Sequence, residues 1–135
     1  MGMVIARFRR SPGELVRDIR EGLPPESFVE IANALGGKVS HEALALKLGL
    51  VGRTLSRKRR LKERLSITES ERIYRVSRVL EDAEGLFGGR DAAREWILAP
   101  CASFGDVAPL DLLDTDVGTA EVEGLLKGLA YGNFQ

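Results

Sequence analysis

The run from Thr68 to Gly89, TESERIYRVSRVLEDAEGLFGG, constrains this chain more than any other stretch. Ile73, Val76, Leu80, Ala83 and Phe87 recur at alternating spacings of three and four, which places them on one face of an α-helix. Thr68 followed three residues later by Glu71 has the form of a capping box. In such a box the hydroxyl accepts from an orphan N–H while the carboxylate reaches back to the cap. Gly88-Gly89 stops the helix, since glycine takes the left-handed conformation past the last turn at no steric cost. The expectation is a capped amphipathic helix of about six turns, with an apolar stripe that other helices must cover.

The chain before this helix reads as shorter helices with clear punctuation. Residues 1–10 form a mobile or edge segment. Ser11-Pro12-Gly13-Glu14 is a helix start, with serine as cap, proline at the first helical position and glutamate completing the box. Leu15, Val16 and Ile19 supply a short apolar face before Gly22. Pro24-Pro25 break the chain, and Phe28, Ile31, Ala32 and Leu35 predict the buried face of a second helix that ends at Gly36-Gly37. Ser40 caps a third, from His41 to Leu48. Ala45 and Gly49 stand four apart, where a helix-turn-helix needs a small residue at the helix crossing and a glycine in the turn. Its second helix is expected from about Gly52 to Glu63.

That second helix is strongly basic, with seven Lys/Arg between residues 53 and 64. Arg53, Ser56, Arg57 and Arg60 share one face. A helix so placed lies in the major groove of DNA, where arginine pairs with guanine and other basic groups meet phosphates. Arg53, Thr54, Ser56, Arg57, Lys58 and Arg60 are therefore the candidate DNA-binding residues. Two departures stand against the pattern: Val51-Gly52 replaces the usual hydroxyl cap, and Lys58 occupies a position that usually packs inward. The alternative is a solvated basic helix that joins two subdomains.

Charge divides the chain. Residues 1–65 hold 14 Lys/Arg and 7 Asp/Glu, and residues 66–135 hold 6 and 13, so a formal charge of zero conceals +7 and −7. The basic part suits a polyanion. The shift at Leu65-Ser66 marks the expected boundary between a subdomain of residues 1–65 and one of residues 66–135. In the second, a helix from about Arg90 to Leu98 stops before Pro100, and Trp96 is expected to pack on the long helix, the alternative being an interface anchor. Residues 99–109 form a loop, Pro109 to Leu113 a helical turn, and Thr115 or Asp116 caps a last helix with Val122, Leu125, Leu126 and Leu129 as its stripe. Gly118 and Gly124 weaken that helix intrinsically. No strand pattern stands out, and the fold class is all-α.

Little in the sequence points to catalysis. His41 is the sole histidine and Cys101 the sole cysteine, with no partner in sequence to make a nucleophile or metal site. Asp106, Asp111, Asp114 and Asp116 lack the spacing of a calcium loop, and Gly88-Gly89 lacks the lysine of a phosphate loop. The expectation is a protein that is not an enzyme and holds no metal or cofactor. A single cysteine, no apolar run long enough to span a bilayer and no signal peptide point to the cytoplasm.

The order of residues after the long helix carries a resemblance. Ala92, Ala93, Trp96-Ile97-Leu98, Pro100, Phe104-Gly105, Pro109-Leu110-Asp111-Leu112-Leu113, Thr115, Gly118, Val122, Leu125-Leu126 and Gly132 follow one another as in the toxin-binding domain of the Xre/MbcA/ParS-like antitoxins. These are partners of the RES-domain toxins. The resemblance covers residues 66–135, and a weaker one covers the N-terminal half as an Xre-like helix-turn-helix. It implies an antitoxin of a type II module that neutralises a NAD-consuming RES toxin by blocking its active site. It also implies a homodimer within a larger toxin–antitoxin complex that represses its own operon. In such antitoxins the C-terminal segment enters the toxin's NAD pocket, which makes Tyr131, Gly132, Asn133, Phe134 and Gln135 the candidate toxin-binding residues. A frayed or self-packed tail is the alternative for that segment. For the whole chain the alternatives are a stand-alone helix-turn-helix regulator with a C-terminal dimerisation module, or a protein-interaction adaptor.

Overall fold

The computed structural model describes residues 11–132. The N-terminal segment 1–10 and the tail candidates Asn133, Phe134 and Gln135 lie outside the described residues. Among those described, seven α-helices follow one another: α1 Pro12–Glu21, α2 Glu26–Ala34, α3 His41–Lys47, α4 Gly52–Leu61, α5 Ile67–Phe87, α6 Arg90–Leu98 and α7 Asp116–Ala130. Two 3-10 turns, Ala102–Phe104 and Pro109–Leu112, link α6 to α7. The fold is all-α, and the sole β-type pairing among the described residues is an isolated bridge between Cys101 and Val107. The chain divides into two compact units between Ser77 and Arg78, inside α5.

In the first unit, Ser11 caps α1 with the expected box: Glu14 N donates to the Ser11 hydroxyl at 3.2 Å and Ser11 N to the Glu14 carboxylate at 3.0 Å. The apolar face of α1 is shallower than its spacing suggests, since Leu15 and Ile19 are half-buried and Val16 is exposed. The deep core comes from Phe28, Ile31, Ala32 and Leu35 around α2, Leu44, Ala45 and Leu48 around α3, Leu55 of α4, and Ile73 and Val76 of α5. Two connecting segments are stitched together. Leu65 N donates to Leu23 O at 2.9 Å, Leu23 N to the buried Ser70 hydroxyl at 2.9 Å, and Arg64 to Gly22 O at 2.9 Å. Gly22 lies so close that a Cβ would stand 2.1 Å from Leu65 O, and its φ is +96°.

This stitching moves the start of the long helix. The box is formed by Ser66 and Glu69, not by Thr68 and Glu71: Ser66 N donates to the Glu69 carboxylate at 2.8 Å, and Glu69 N to the Ser66 hydroxyl at 3.1 Å. The same Ser/Thr-x-x-Glu pattern occurs twice, two residues apart. With Leu65 already bound to Leu23, the chain turns into α5 at Ser66 and leaves Thr68 in the first turn. The stripe itself is as expected, with Ile73, Val76, Leu80 and Ala83 buried and Phe87 half-buried. The basic helix α4 ends two residues early, because Lys62 adopts a left-handed φ of +59° and Glu63 N returns to Lys58 O at 2.8 Å.

In the second unit, Val79, Leu80 and Ala83 of α5, Ala93 and Ile97 of α6, Leu110, Leu113, and Val122 and Leu126 of α7 are buried. Trp96 is half-buried, its ring 5.5 Å from that of Phe87. Thr115 caps α7 through a 2.9 Å bond from Gly118 N. Leu125 is half-buried and Leu129 exposed, so the stripe of α7 is narrower than the sequence suggests. Gly118 has a packing reason that Gly124 lacks. A Cβ at Gly118 would stand 1.9 Å from Leu112 O, whereas one at Gly124 meets nothing within 4 Å.

Burial would raise the Glu69 carboxyl, but the Lys58 hydrogen bond and charge and the two Ser66 donors outweigh it and hold it below the ordinary value. Its folded pKa being depressed, the stability it contributes is present above the unfolded carboxylate range and is lost as pH falls through the folded value. The stability difference between the parent and Glu69→Gln should be widest at neutral pH and shrink in acid; a difference independent of pH contradicts this. A second comparison concerns the glycines of α7. Gly118→Ala should destabilise by about 1–3 kcal/mol through overpacking, while Gly124→Ala should stabilise by up to about 1 kcal/mol through helix propensity. Urea unfolding of both decides it, and stabilisation by both alanines would contradict the close approach.

Candidate functional site

The surface of α4 follows from its sequence. Thr54, Leu55 and Lys58, at i, i+1 and i+4, form the inward side: Leu55 is buried, Thr54 and Lys58 half-buried. Arg53, Ser56, Arg57 and Arg60 are all exposed on the other side. No ion pair joins Arg53, Arg57 or Arg60 to another described residue, so these three guanidinium groups are available to an external anion. Their neighbour Arg59 stands 3.9 Å from Glu26, an exposed and weak pair. The six sequence candidates therefore separate. Four face solvent together, Thr54 lies at the edge, and Lys58 turns to Glu69 at 2.8 Å with both side chains 16% exposed.

The turn before α4 has the geometry expected of a helix-turn-helix. Ala45 is buried, and its carbonyl accepts from Leu48 N at 3.2 Å and Leu50 N at 2.8 Å. Gly49 has φ +71°, and a Cβ there would meet the Arg72 guanidinium at 2.7 Å. Arg72 itself donates to Gly49 O at 2.6 Å. Val51 caps α4 with backbone only. Beside the arginines lies an open groove of about 800 Å³ bordered by α2, α3 and α4, with Phe28, Val29 and Leu50 among its apolar lining and Arg53, Ser56 and Arg59 along it. Leu46 of α3, 81% exposed, also lines it. The helical period places Leu46 opposite Leu44 and Leu48, so this large apolar side chain faces outward.

The remaining candidates are bland in structure. The His41 and Phe28 rings meet in a T-shaped arrangement, their centroids 5.7 Å apart. Cys101 is half-buried and its backbone closes the bridge to Val107. Among the described residues no group of three His, Cys, Asp or Glu is placed to hold a metal ion, the Asp106 to Asp116 cluster included. No described helix is long and apolar enough to cross a membrane.

In the second unit, an open groove of about 700 Å³ runs between α5 and α7, lined by Asp82, Leu86, Glu123, Leu126, Lys127 and Ala130. At its rim, desolvation first and the charge of Glu123 second raise the Asp82 carboxyl above its ordinary value, against the pull of Arg78 and Lys127. Sequence reasoning missed this carboxylate pair, since Asp82 and Glu123 come together only through the packing of two helices. Tyr131 follows α7 and is 74% exposed, and Gly132 has φ +68°. Of the five tail candidates, these two can be placed, on the surface beyond the last helix.

The sequence model of the Antitoxin Xre-like helix-turn-helix domain matches residues 14–78, and that of the Antitoxin Xre/MbcA/ParS C-terminal toxin-binding domain matches residues 82–132. An Antitoxin Xre of Yersinia enterocolitica is 39% identical over 87 residues, 64% of this chain and 59% of the Yersinia protein, so the match spans little more than half of that relative. An Antitoxin Xre of Photorhabdus laumondii is 34% identical over 116 residues, covering 84% of this chain and 76% of its own length. A Prs ADP-ribosylating antitoxin of Sphingobium sp. is 30% identical over 140 residues, 96% of this chain and 86% of its own length. With a helix-turn-helix match ending where the toxin-binding match begins, and relatives aligned across both, this chain belongs to the Xre/MbcA/ParS antitoxin family.

Proposed function

We propose that this chain neutralises a toxin in a type II toxin–antitoxin module, with residues 1–65 directed to operator DNA and residues 66–135 to the toxin. The observation that carries the reading is a solvent-facing arginine row on α4, with no ion pair to another described residue, joined to a half that matches a toxin-binding domain. Arg53, Ser56, Arg57 and Arg60 meet DNA bases and phosphates, with Thr54 at the edge of the contact. Two copies of the chain supply two half-sites, as helix-turn-helix dimers do, and the toxin–antitoxin complex represses its own operon.

The toxin in this reading is a RES-domain, NAD-consuming enzyme. The Sphingobium relative supports that choice, since it is named an ADP-ribosylating antitoxin and ADP-ribosyl transfer takes its ADP-ribose from NAD. Inhibition is steric. Tyr131 leaves the end of α7 into solvent, and Gly132, Asn133, Phe134 and Gln135 continue into the toxin's NAD pocket. There the Phe134 ring fills an apolar slot and the amides of Asn133 and Gln135 satisfy polar groups. A plug needs shape and hydrogen-bonding groups, and asks for no nucleophile or base.

Co-expression with the cognate toxin tests the reading. The full chain should hold cellular NAD at the level of toxin-free cells. A chain stopped after Tyr131 should still pull down the toxin while NAD falls. Protection by both chains would move inhibition from the tail to the helices. Failure of the full chain to bind or restrain any NAD-consuming partner would contradict the antitoxin reading itself.

A further inference from the structure

Helix α4 is poorly fixed by its own sequence. It has 10 residues, one of them buried (Leu55), and no side-chain cap at Val51. A helix this short is marginal alone in water, and one buried leucine does not determine the direction in which it points. Its outward arginines repel one another and add nothing to its placement. Something else must hold it.

Two polar ties do so, and both come from the first turns of α5. Glu69 accepts from the Lys58 ammonium at 2.8 Å, in the last turn of α4. Arg72 donates to Gly49 O at 2.6 Å, in the turn just before α4. Glu69 and Arg72 are three apart, hence neighbours on one face of α5. They grip the turn-and-helix at two points, one ahead of α4 and one near its end, and two points set the direction of a rod. Glu69 is itself immobilised by its capping box with Ser66. The tie is thus pre-organised on one side, and Lys58 alone loses freedom in making it. Gly49 leaves the space that the Arg72 guanidinium occupies.

We propose that Glu69 and Arg72 are positioning residues for nucleic-acid contact. They hold α4 in its DNA-facing attitude, through the Lys58 ammonium and the Gly49 carbonyl, and Lys58 makes no phosphate contact of its own. The inference rests on the reading of α4 as the DNA-facing helix. Lys58 is the half-buried end of a neutral pair, so the charge that DNA meets on this helix belongs to its exposed arginines.

The sign of one substitution separates position from charge. Removing a carboxylate close to a DNA-binding face strengthens binding if only electrostatics act. Removing a positioning carboxylate weakens it. Glu69→Gln keeps the capping box, since glutamine serves at that position, so the fold is retained. The assay is binding of the full chain to a fluorescein-labelled duplex of the DNA upstream of its own coding sequence, across a series of salt concentrations, with a melting curve for each variant. Glu69→Gln should weaken binding roughly fivefold, the scale of a partly exposed ion pair, with an unchanged slope of log affinity on log salt. Lys58→Met and Arg72→Met should behave in the same way. Affinity equal to or tighter than the parent for Glu69→Gln would overturn the proposal. So would a slope less negative by about 0.9 for Lys58→Met, the signature of one phosphate no longer neutralised. Arg53→Ala/Arg57→Ala/Arg60→Ala should weaken binding and make the slope less negative by about 0.9 for each phosphate that these arginines neutralise. If that variant binds like the parent, or if the parent binds no duplex, the DNA reading of α4 falls, and the inference with it.

Discussion

A single carboxylate, that of Glu69, stands at the junction on which the first unit depends. It closes the cap of α5 through Ser66 and receives the Lys58 ammonium of α4. Neither bond is large alone: a helix cap is worth about 1 kcal/mol and a part-exposed ion pair up to about 1 kcal/mol. Their sharing of one group matters more than their sum. The helix that begins at Ser66 and the basic helix before it are set by the same oxygen atom, so a displaced cap would also displace α4. The stitch between Leu23 and Leu65 works in the same direction, because it leaves the chain one place at which to turn into α5.

The two units handle charge differently. On α4 the positive groups are separated by role: Lys58 is neutralised inward, Arg59 leans on Glu26, and Arg53, Arg57 and Arg60 carry the outward field. Among the described residues none forms an ion pair with Arg53, Arg57 or Arg60, and arginine presents a planar fork of donors that suits phosphate. Around the α5–α7 groove, charge is mixed instead. Asp82 and Glu123 face one another's repulsion, while Arg78 pairs with Glu123 and Lys127 opposes the rise in the Asp82 carboxyl. Such a surface suits a protein partner better than a polyanion, in keeping with the match of this half to a toxin-binding domain.

Much of the fold is legible in the sequence because helices announce themselves locally. The stripe from Ile73 to Ala83, the box at Ser11 and Glu14, and the limits of α6 all follow from spacing and caps within a few residues. What escapes sequence reasoning depends on contacts distant along the chain. The choice between two overlapping Ser/Thr-x-x-Glu patterns is made by Leu23. The need for Gly118 is created by the carbonyl of Leu112, and the same helix carries Gly124 with no such neighbour. For the candidate site, the inward position of Lys58 is visible in the helical period. Its partner is not, because Glu69 reaches it from the next helix. Arg72 is likewise silent in sequence, one charged residue among several on α5.

The DNA contact proposed for α4 is made by its Arg53, Arg57 and Arg60 face. The most direct measurement is an amide chemical-shift titration of the isotopically labelled chain with duplex DNA from upstream of its own gene. Shifts concentrated in the helix-turn-helix from His41 to Leu61, with the Arg53, Arg57 and Arg60 side-chain signals moving and the Lys58 ammonium unchanged, are the predicted result. Shifts confined to α1 or to residues 78–132, or a Lys58 ammonium that moves with the arginines, would contradict it.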